Sequence, residues 1–421
     1  MRYIYNLLFY LLTPLILIRL LWRSRKAPGY RSRWAERFGF FAIPKNHQNG
    51  ILIHSVSVGE TVAAIPLIHA LQKKYPKLPI TVTTMTVTGS QQLKSSVEDS
   101  VFHVYMPYDL PCAIKRFLSK INPCITIIME TELWPNLLYY CNKRQIPTIL
   151  ANARLSKRSA KKYARIKKFT ATLLKQFNYI AAQAEADAKR FEQLGMPTER
   201  IEITGNMKFD ITPPASTKET GELLRQQLGA NRPVWIAAST HEGEEELALK
   251  AFAKIKSKLP DCLLVLAPRH PERFTEVATL CKRKKYSVTL RSSKEPCSTA
   301  TDIFICDSMG ELLQFFAASD VAFIGGSLVK TGGHNLLEPA SFALPIISGP
   351  HTFNFAEATR LLKEADALII IKDEKELAAN VIRFLENPNL HQKFGDLAQA
   401  VVKANRGAVE KHMKLIEKLL S

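Results

Sequence analysis

Two series of short apolar runs, separated by one polar stretch, constrain the fold of this chain more than any other feature of its sequence. Each run is followed by a longer, more polar segment with helical spacing. Continuous apolar runs are typical of strands buried on both faces, and strands that alternate with helices form parallel sheets. The first series is ILIHSV, ITVTTMT, FHVYMP, CITIIME, PTILANA, YIAAQ and IEITGN, and the second is PVWIAAST, CLLVLAP, YSVTL, DIFICD, DVAFIGG, LPIISG and ALIII. The pattern predicts an α/β protein.

We expect two doubly wound domains with a cleft between them that faces the carboxyl ends of both sheets. The stretch KFDITPPASTKETGE, rich in proline and small polar residues, is the predicted linker. A chain of 421 residues with 46% hydrophobic content is long enough for two cores. The prediction assigns residues 50–210 to an N-terminal domain and residues 211–421 to a C-terminal domain.

The first 22 residues are predicted to anchor the protein to a membrane. Residues from Ile4 to Trp22 are almost wholly apolar, which is close to the shortest length that spans a bilayer. A helix that lies in the membrane interface fits the same residues, and both alternatives stay open. Residues 23–49 are interpreted as a basic membrane-proximal segment on the cytoplasmic side, where the cations would meet lipid phosphates. Those cations are Arg23, Arg25, Lys26, Arg31, Arg33 and Arg37.

The charge of the chain favours an anionic partner. The 58 lysines and arginines exceed the 38 acidic residues and leave a formal net charge of +20. Nucleic acid is the less favoured partner, because the positive charge is spread and no basic sheet rich in aromatic residues is evident. The seven cysteines are scattered and the histidines form no ligand pattern, so no metal site is predicted. The absence of GxGxxG and GxxxxGK[ST] motifs argues against a dinucleotide dehydrogenase and a P-loop NTPase.

Glu60 stands where the first predicted strand gives way to a helix, in the stretch GILIHSVSVGETVAAIPLIHAL. A carboxylate at that position interacts favourably with the helix dipole and with unpaired N–H groups. The carboxyl end of a parallel strand is also where open α/β sheets place their chemistry, so the same group is a candidate proton acceptor. Position alone leaves both interpretations open.

Three loops of the second domain have the chemistry of an anion or nucleotide site. APRHPERF places Arg269 directly after a strand, where a guanidinium can bind a phosphate, although an exposed arginine needs no such role. The turn at Met309, Gly310 and Glu311 offers backbone N–H groups to an anion. In GGSLVKTGGHNLLEPA, Asn335 and Glu338 are three residues apart, and a carboxylate there can accept hydrogen bonds from two ribose hydroxyls.

These segments together resemble the 3-deoxy-D-manno-octulosonic acid (Kdo) transferases of Gram-negative bacteria, the lipid IVA Kdo transferase family. The resemblance rests on HSVSVGE, METELWPN, NARLSKRS, GNMKFD, APRHPERF and GGSLVKTGGHNLLEPA, in this order, and extends to the N-terminal GYRSRWAERFG. It implies an inverting GT-B glycosyltransferase of lipopolysaccharide biosynthesis with two Rossmann-like domains. The implied donor is CMP-Kdo, bound by the C-terminal domain, and the implied acceptor is lipid IVA, bound by the N-terminal one. No cofactor and no active-site metal are implied, and the implied location is the cytoplasmic face of the inner membrane.

The resemblance also implies the roles of individual residues. It makes Glu60 the proton acceptor and makes Glu130 and Lys208 the stabilisers of the transition state, with Glu132 as an alternative to Glu130 because both follow the same strand. The implied contacts to CMP are Pro268, Arg269, Met309, Gly310, Glu311, Asn335, Leu336, Leu337 and Glu338. The alternatives considered are another GT-B enzyme that uses a nucleotide sugar, such as a hexosaminyl transferase or an epimerase, and a membrane-anchored protein that binds nucleic acid.

Overall fold

A computed structural model describes residues 2–26, 33–97, 99–211 and 213–421 of the chain, which folds into two compact units. One unit comprises Met1–Asp210 and Asn405–Ser421, and the other comprises Ile211–Ala404. The predicted C-terminal domain therefore extends too far, since its last residues return to the first unit.

Seven parallel strands form the sheet of the first unit, in the order β3-β2-β1-β4-β5-β6-β7. The strands are β1 (Ile51–His54), β2 (Ile80–Thr84), β3 (Phe102–Tyr105), β4 (Ile125–Met129), β5 (Thr148–Ala153), β6 (Tyr179–Ala182) and β7 (Ile201–Ile203). Each of the first seven apolar runs contains one of these strands. The four residues of β1 are buried on both faces, as a continuous apolar run predicts.

Helices cover both faces of this sheet. Those before the second unit are α1 (Arg2–Lys26), α2 (Val58–Lys74), α3 (Val87–Val97), α4 (Pro111–Ile121), α5 (Pro135–Lys143), α6 (Lys157–Ala164), α7 (Lys167–Leu174) and α8 (Glu185–Gln193). Ile51 and Ile53 belong to a core shared with α2 and α3. Leu52, between them, belongs to a different core with α4 and α5. Successive side chains of β1 thus enter opposite layers, which is the pattern of a doubly wound sheet.

The second unit repeats the architecture with the strand order β10-β11-β9-β8-β12-β13-β14. Its strands, all paired in parallel, are β8 (Val234–Thr240), β9 (Leu263–Pro268), β10 (Val288–Leu290), β11 (Ile303–Ile305), β12 (Val321–Ile324), β13 (Ile346–Ser348) and β14 (Leu368–Ile370). Its helices are α9 (Ala215–Leu228), α10 (Glu244–Lys258), α11 (Phe274–Arg283), α12 (Leu312–Ala317), α13 (Leu337–Ser341), α14 (Ala356–Glu364), α15 (Glu374–Glu386) and α16 (Pro388–Ala404). The predicted linker is too long, because its second half is the first turns of α9.

The last helix, α17 (Ala408–Leu420), packs on the sheet of the first unit. Asp210, the last residue of that unit before the second begins, caps this helix. Its carboxylate accepts hydrogen bonds from the N–H groups of Gly407 and Val409, both at 2.6 Å. The two chain segments that enter and leave the second unit are therefore joined at one carboxylate.

The segment after α1 differs from its predicted role. Arg37, in a short 3-10 helix (Trp34–Phe38), is 3% exposed, donates to the carbonyl of Met85 and stacks on the ring of Tyr105. Arg33 donates to the carbonyl of His103. The buried Arg37 guanidinium holds this segment on the sheet and cannot meet lipid phosphates, so its assignment to them was wrong. The side chain of Arg33 is 38% exposed, and its contact with lipid stays a prediction. Arg31 and the side chains of Arg23, Arg25 and Lys26 lie outside the described residues.

Candidate active site

Three predicted residues of the first unit meet at the carboxyl ends of neighbouring strands. Glu60 lies in the first turn of α2, directly after β1, and Glu130 follows β4, which pairs with β1. Lys208 lies in a short 3-10 helix (Met207–Phe209) after β7. Its Nζ is 3.3 Å from Oε1 of Glu130, and a Cβ built on Gly59 would lie 4.0 Å from the same Nζ. Lys208 therefore reaches both the start of α2 and the loop after β4.

The carboxyl group of Glu60 is fixed by its own helix terminus. Its Oε2 accepts the N–H of Val56 at 2.7 Å, and its Oε1 accepts the hydroxyl of Ser57 at 2.9 Å. Ser57 is the N-cap of α2 and also accepts the N–H of Glu60. This reciprocal arrangement resembles a capping box, so the helix-terminus interpretation of Glu60 describes part of what the residue does.

Burial gives the same group unusual acid–base behaviour. Glu60 is 8% exposed. Burial raises the pKa of Glu60 to about 7, and the nearby carboxylates Glu130 and Glu132 add to the rise, while the hydrogen bonds from Val56 and Ser57 oppose it. A carboxyl group with a pKa near 7 is a much stronger base than an ordinary glutamate and is still ionised in half of the molecules at neutral pH.

Glu130 and Glu132 have different partners. Glu130 pairs with Lys208 and has a left-handed backbone, with φ of 55°, which is uncommon outside glycine. Glu132 accepts the indole N–H of Trp134 at 2.8 Å, and burial raises the pKa of Glu132. The ion pair with Lys208 thus distinguishes two carboxylates that the sequence left equivalent.

A chain of buried hydrogen bonds positions the Lys208 loop. The side chain of Asn206 accepts the N–H of Lys208, and that of Asn152 accepts the N–H of Met207 at 3.0 Å. The N–H of Asn152 in turn donates to Nε2 of His412 at 2.9 Å. Nδ1 of His412 donates to the carbonyl of Ala408, so the ring is the neutral tautomer, and burial lowers the pKa of His412 to about 4. Sequence reasoning missed His412, which has no motif around it, whereas Asn152 begins one of the segments that carry the resemblance.

In the second unit, the loops after β8, β9 and β12 lie side by side, since β8 is between β9 and β12. Pro268 ends β9 and Arg269 follows it. Asn335 donates to the Glu338 carboxylate at 3.0 Å, and burial raises the pKa of Glu338, whereas the charge of Arg269 opposes that rise. Arg269, Asn335 and Glu338 are thus brought together, and Leu336 and Leu337 are buried at the start of α13.

Three histidine rings adjoin these residues. Nε2 of His241 lies 2.8 Å from Nε2 of His334, and the ring of His270 meets that of His241 edge-on. Burial, with the charge of Arg269, lowers the pKa of His334 to about 3, so the pair is neutral. The described residues hold no group of three or more His, Cys, Asp or Glu side chains placed to bind a metal ion.

The turn at Met309, Gly310 and Glu311 has an unexpected partner. Met309 is exposed and Gly310 has φ of 86°. Arg291 binds the Glu311 carboxylate through Nε and Nη2, the latter at 2.7 Å, and lowers the pKa of Glu311. Because this carboxylate is already paired, we expect the turn to meet a ligand through its backbone. Nothing in the sequence connects Arg291 with this turn.

Glu244 supports the glycine-rich loop after β12, and sequence reasoning missed it as well. The carboxylate is completely buried at the first turn of α10. It accepts four backbone N–H groups, from His241, Gly326, Ser327 and Leu328, at 2.6–3.0 Å. Gly326 has φ of 66°, and a Cβ there would lie 2.8 Å from the ring of His334. The loop thus requires glycine at this position and a buried acid beneath it.

Comparison with known proteins agrees with this architecture. Residues 32–211 match the family model "3-Deoxy-D-manno-octulosonic-acid transferase (kdotransferase)", and residues 230–401 match "Glycosyl transferases group 1". The UDP-GlcNAc 2-epimerase of Neisseria meningitidis, solved with UDP-GlcNAc, superposes with a TM-score of 0.59 over 88% of this chain and all of that one. At 13% identity this likeness concerns the fold alone, which is GT-B.

Two relatives match over nearly their whole length. The 3-deoxy-D-manno-octulosonic acid transferase of Haemophilus influenzae is 44% identical over 421 residues, which cover 100% of this chain and 99% of the relative. The enzyme of the same name from Bordetella pertussis is 32% identical over 99% of both chains. The chain belongs to the 3-deoxy-D-manno-octulosonic acid transferase family and is a glycosyltransferase.

Proposed function

We propose that this Kdo transferase moves Kdo from CMP-Kdo to lipid IVA, the tetraacylated precursor of lipid A, with inversion at the anomeric carbon. Membership of the Kdo transferase family supports Kdo as the sugar that is transferred. The observation that carries the mechanism is the buried Glu60 carboxyl, whose pKa of about 7 suits it to accept a proton. Inversion follows when the acceptor attacks the face opposite to the leaving phosphate in a single displacement.

In this reaction Glu60 removes the proton from an acceptor hydroxyl. The hydroxyl oxygen forms a bond to the anomeric carbon of Kdo, the bond from that carbon to the phosphate oxygen of CMP breaks, and its electron pair leaves with CMP. A positioned general base contributes roughly 10²–10⁴-fold to such a step. The two hydrogen bonds from Val56 and Ser57 hold the carboxyl in one orientation, so that little reorganisation is needed at the moment of transfer.

Lys208 and Glu130 stabilise the charge that develops in the transition state. The ammonium group lies between the loop of Glu130 and the start of α2, and its loop is held by Asn152 and Asn206. A cation fixed in advance stabilises developing negative charge without the cost of reorienting solvent. Glu130 keeps the ammonium in place.

The second unit binds the CMP part of the donor. Arg269 binds the single phosphate, and Glu338 accepts hydrogen bonds from the ribose hydroxyls, since a carboxylate keeps acceptor capacity beyond its bond to Asn335. Pro268, Leu336, Leu337 and the turn from Met309 to Glu311 complete the contacts. Because CMP leaves with one phosphate, Arg269 can carry the developing charge, and we expect a chelator to leave the rate unchanged.

The proposed location is the cytoplasmic face of the inner membrane, with the N-terminal helix as the anchor. Residues Arg2–Trp22 form a helix that is long and apolar enough to cross a bilayer. The basic residues that follow in sequence favour the cytoplasmic side for the rest of the chain. An anionic glycolipid acceptor fits the net charge of +20.

The test is product analysis with the purified full-length protein. Incubation with CMP-Kdo and lipid IVA should add Kdo to the lipid, as mass spectrometry of the product shows, and NMR should find the anomeric configuration opposite to that of the donor. CMP should raise the melting temperature more than UDP does. Transfer from a UDP-sugar, or protection by UDP alone, would contradict the proposed donor.

A further inference from the structure

The helix α1 touches the first unit along almost its whole length. The Arg2 guanidinium lies 3.2 Å from the ring centre of Tyr139, and the hydroxyl of Tyr5 donates to Oδ2 of Asp109 at 3.0 Å. The side-chain amide of Asn136 donates to Oδ1 of Asn6 at 2.7 Å. These polar contacts hold the N-terminal end of the helix against the folded domain.

Apolar contacts continue along the same face. Phe9 and Ile16 pack on a small core of Tyr108, Leu110 and Ala113, and Leu20 is 7% exposed. At 1.5 Å per residue, the distance from residue 2 to residue 20 is about 27 Å. A helix that crosses the membrane would carry one of these ends to the far side of the bilayer, about 30 Å from the domain, where Tyr5 could not reach Asp109.

The opposite face of α1 is apolar and uncovered. Ile4, Leu7, Leu8, Leu11, Leu15, Ile18 and Trp22 are each more than half exposed. Their spacing of three and four residues puts them on one stripe of the helix, opposite the residues that contact the domain. A continuous apolar stripe of this length is unusual on a soluble surface and marks a contact with another apolar phase.

The charges beside α1 indicate which apolar phase this is. Lys168 lines the same hollow as Arg2 and Tyr139, so α7, which begins with two lysines, adjoins the start of α1, and α6 packs against α7. No acidic residue occurs from Arg154 to Ala184. The cations between Arg154 and Lys168 are all exposed and number eight: Arg154, Lys157, Arg158, Lys161, Lys162, Arg165, Lys167 and Lys168. An apolar stripe next to a cluster of exposed cations is complementary to a leaflet of anionic phospholipid.

We propose that α1 lies flat in the cytoplasmic leaflet, bound to the first unit on one face and to lipid on the other, and does not cross the membrane. This proposal refines the membrane location given above but does not depend on which sugar is transferred. A helix held in this way also fixes the distance of the candidate active site from the membrane surface. Asn136 lies in the first turn of α5, which follows the Glu130 loop, and Asp109 accepts its N–H at 2.8 Å, so α1 and this loop share one support.

The direct test is the side of the membrane on which the N-terminus lies. Short protease-sensitive epitopes are added to both ends of the full chain, and spheroplasts and inverted inner-membrane vesicles are treated with protease. A flat helix predicts that both epitopes survive in spheroplasts and are cleaved in inverted vesicles. Cleavage of the N-terminal epitope in spheroplasts, with the C-terminal one protected, would overturn the proposal. Neither result depends on transferase activity.

A second test compares the two faces of α1. Replacing Leu8, Leu11 and Leu15 by serine changes the uncovered face, and replacing Phe9, Ile16 and Leu20 by serine is the matched control on the covered face. With vesicles that contain anionic phospholipid, the first variant should bind at least about tenfold more weakly at an unchanged melting temperature. The control should instead melt earlier and keep most of its binding.

Equal losses of vesicle binding in the two variants would mean that lipid surrounds the helix, as in a spanning segment, and would contradict the proposal. Self-association without vesicles that disappears in the Leu8, Leu11 and Leu15 variant, measured by sedimentation, would assign the stripe to a second copy of the chain and would contradict it too.

Discussion

Each of the two units has its own seven-stranded parallel sheet, but the acidic residues near the strand ends have different surroundings in the two units. In the first unit, burial raises the pKa of Glu60 to about 7, so the group changes its protonation near neutral pH. In the second unit, Arg291 lowers the pKa of Glu311, and four N–H groups hold the buried Glu244. One unit thus has an acid able to exchange a proton, whereas the other uses paired acids as fixed supports for loops.

Glu338 is an exception to this contrast between the two units. Burial raises the pKa of Glu338, as it does for Glu60, although Glu338 belongs to the second unit. It is also the second-unit carboxylate that we predict to meet the donor ribose. Because groups with perturbed pKa values cluster at functional sites, the raised pKa of Glu338 is consistent with the ribose contact that we predict.

The largest expected effect on stability comes from removing the buried acid that holds the glycine-rich loop after β12. Glu244→Ala leaves four N–H groups of the glycine-rich loop without their acceptor, and should lower the free energy of unfolding of the second unit by about 3–5 kcal/mol. Hydrogen exchange at the amides of Gly326, Ser327 and Leu328 measures the loss locally. The control is Glu246→Ala, an exposed acid on the same helix. Equal exchange rates in the two variants would show that Glu244 does not stabilise the glycine-rich loop.

A large effect on catalysis is expected at Lys208. Lys208→Met keeps the length of the side chain but removes the charge beside Glu130, and should lower turnover by roughly 10²–10³-fold. The affinity for CMP, measured by calorimetry, should not change, because Lys208 belongs to the first unit. Lys208→Arg restores the charge and should recover part of the rate. A variant that loses CMP affinity and keeps its turnover would contradict the proposed role.

Smaller effects are expected at the donor site. Arg269→Ala should weaken CMP binding through the phosphate, and Glu338→Gln through the ribose, each by about 1.5–3 kcal/mol for a charged hydrogen bond. Calorimetry with CMP and with cytidine separates the two, because the effect of Arg269 should largely disappear with cytidine while that of Glu338 should remain. Wild-type affinity for CMP in both variants would mean that the donor site lies elsewhere.

The strand pattern was predictable because it depends on local sequence. Each predicted run contains a strand, since strands buried on both faces need continuous apolar residues, as in β1 and β9. The convergence of Glu60 and Glu130 was predictable for a related reason, because both follow strands whose carboxyl ends lie at one edge of the sheet. The roles of these residues and of the donor-site residues remain predictions.

The missed residues act through contacts that are distant in sequence. His412 and Asn152 are 260 positions apart, and Glu244 supports a loop more than 80 positions away. No local pattern distinguishes such a residue from an ordinary helical acid or histidine. Arg37 was assigned wrongly for the same reason: it stands among the cations of a membrane-proximal flank, but it stacks on Tyr105, which is distant in sequence.

The central claim, that Glu60 is the base, is tested most directly by the pH dependence of kcat/KM, which reports the ionisation of the free enzyme. Because the folded pKa of Glu60 is raised to about 7, the base is lost as pH falls through that value, and wild-type kcat/KM should decline about tenfold per pH unit on the acid side. Glu60→Gln should bind CMP normally, turn over roughly 10²-fold more slowly or worse, and lack this acid limb. Near wild-type turnover in Glu60→Gln, or an acid limb that persists in it, would contradict the account and make Glu130 or Glu132 the candidate base.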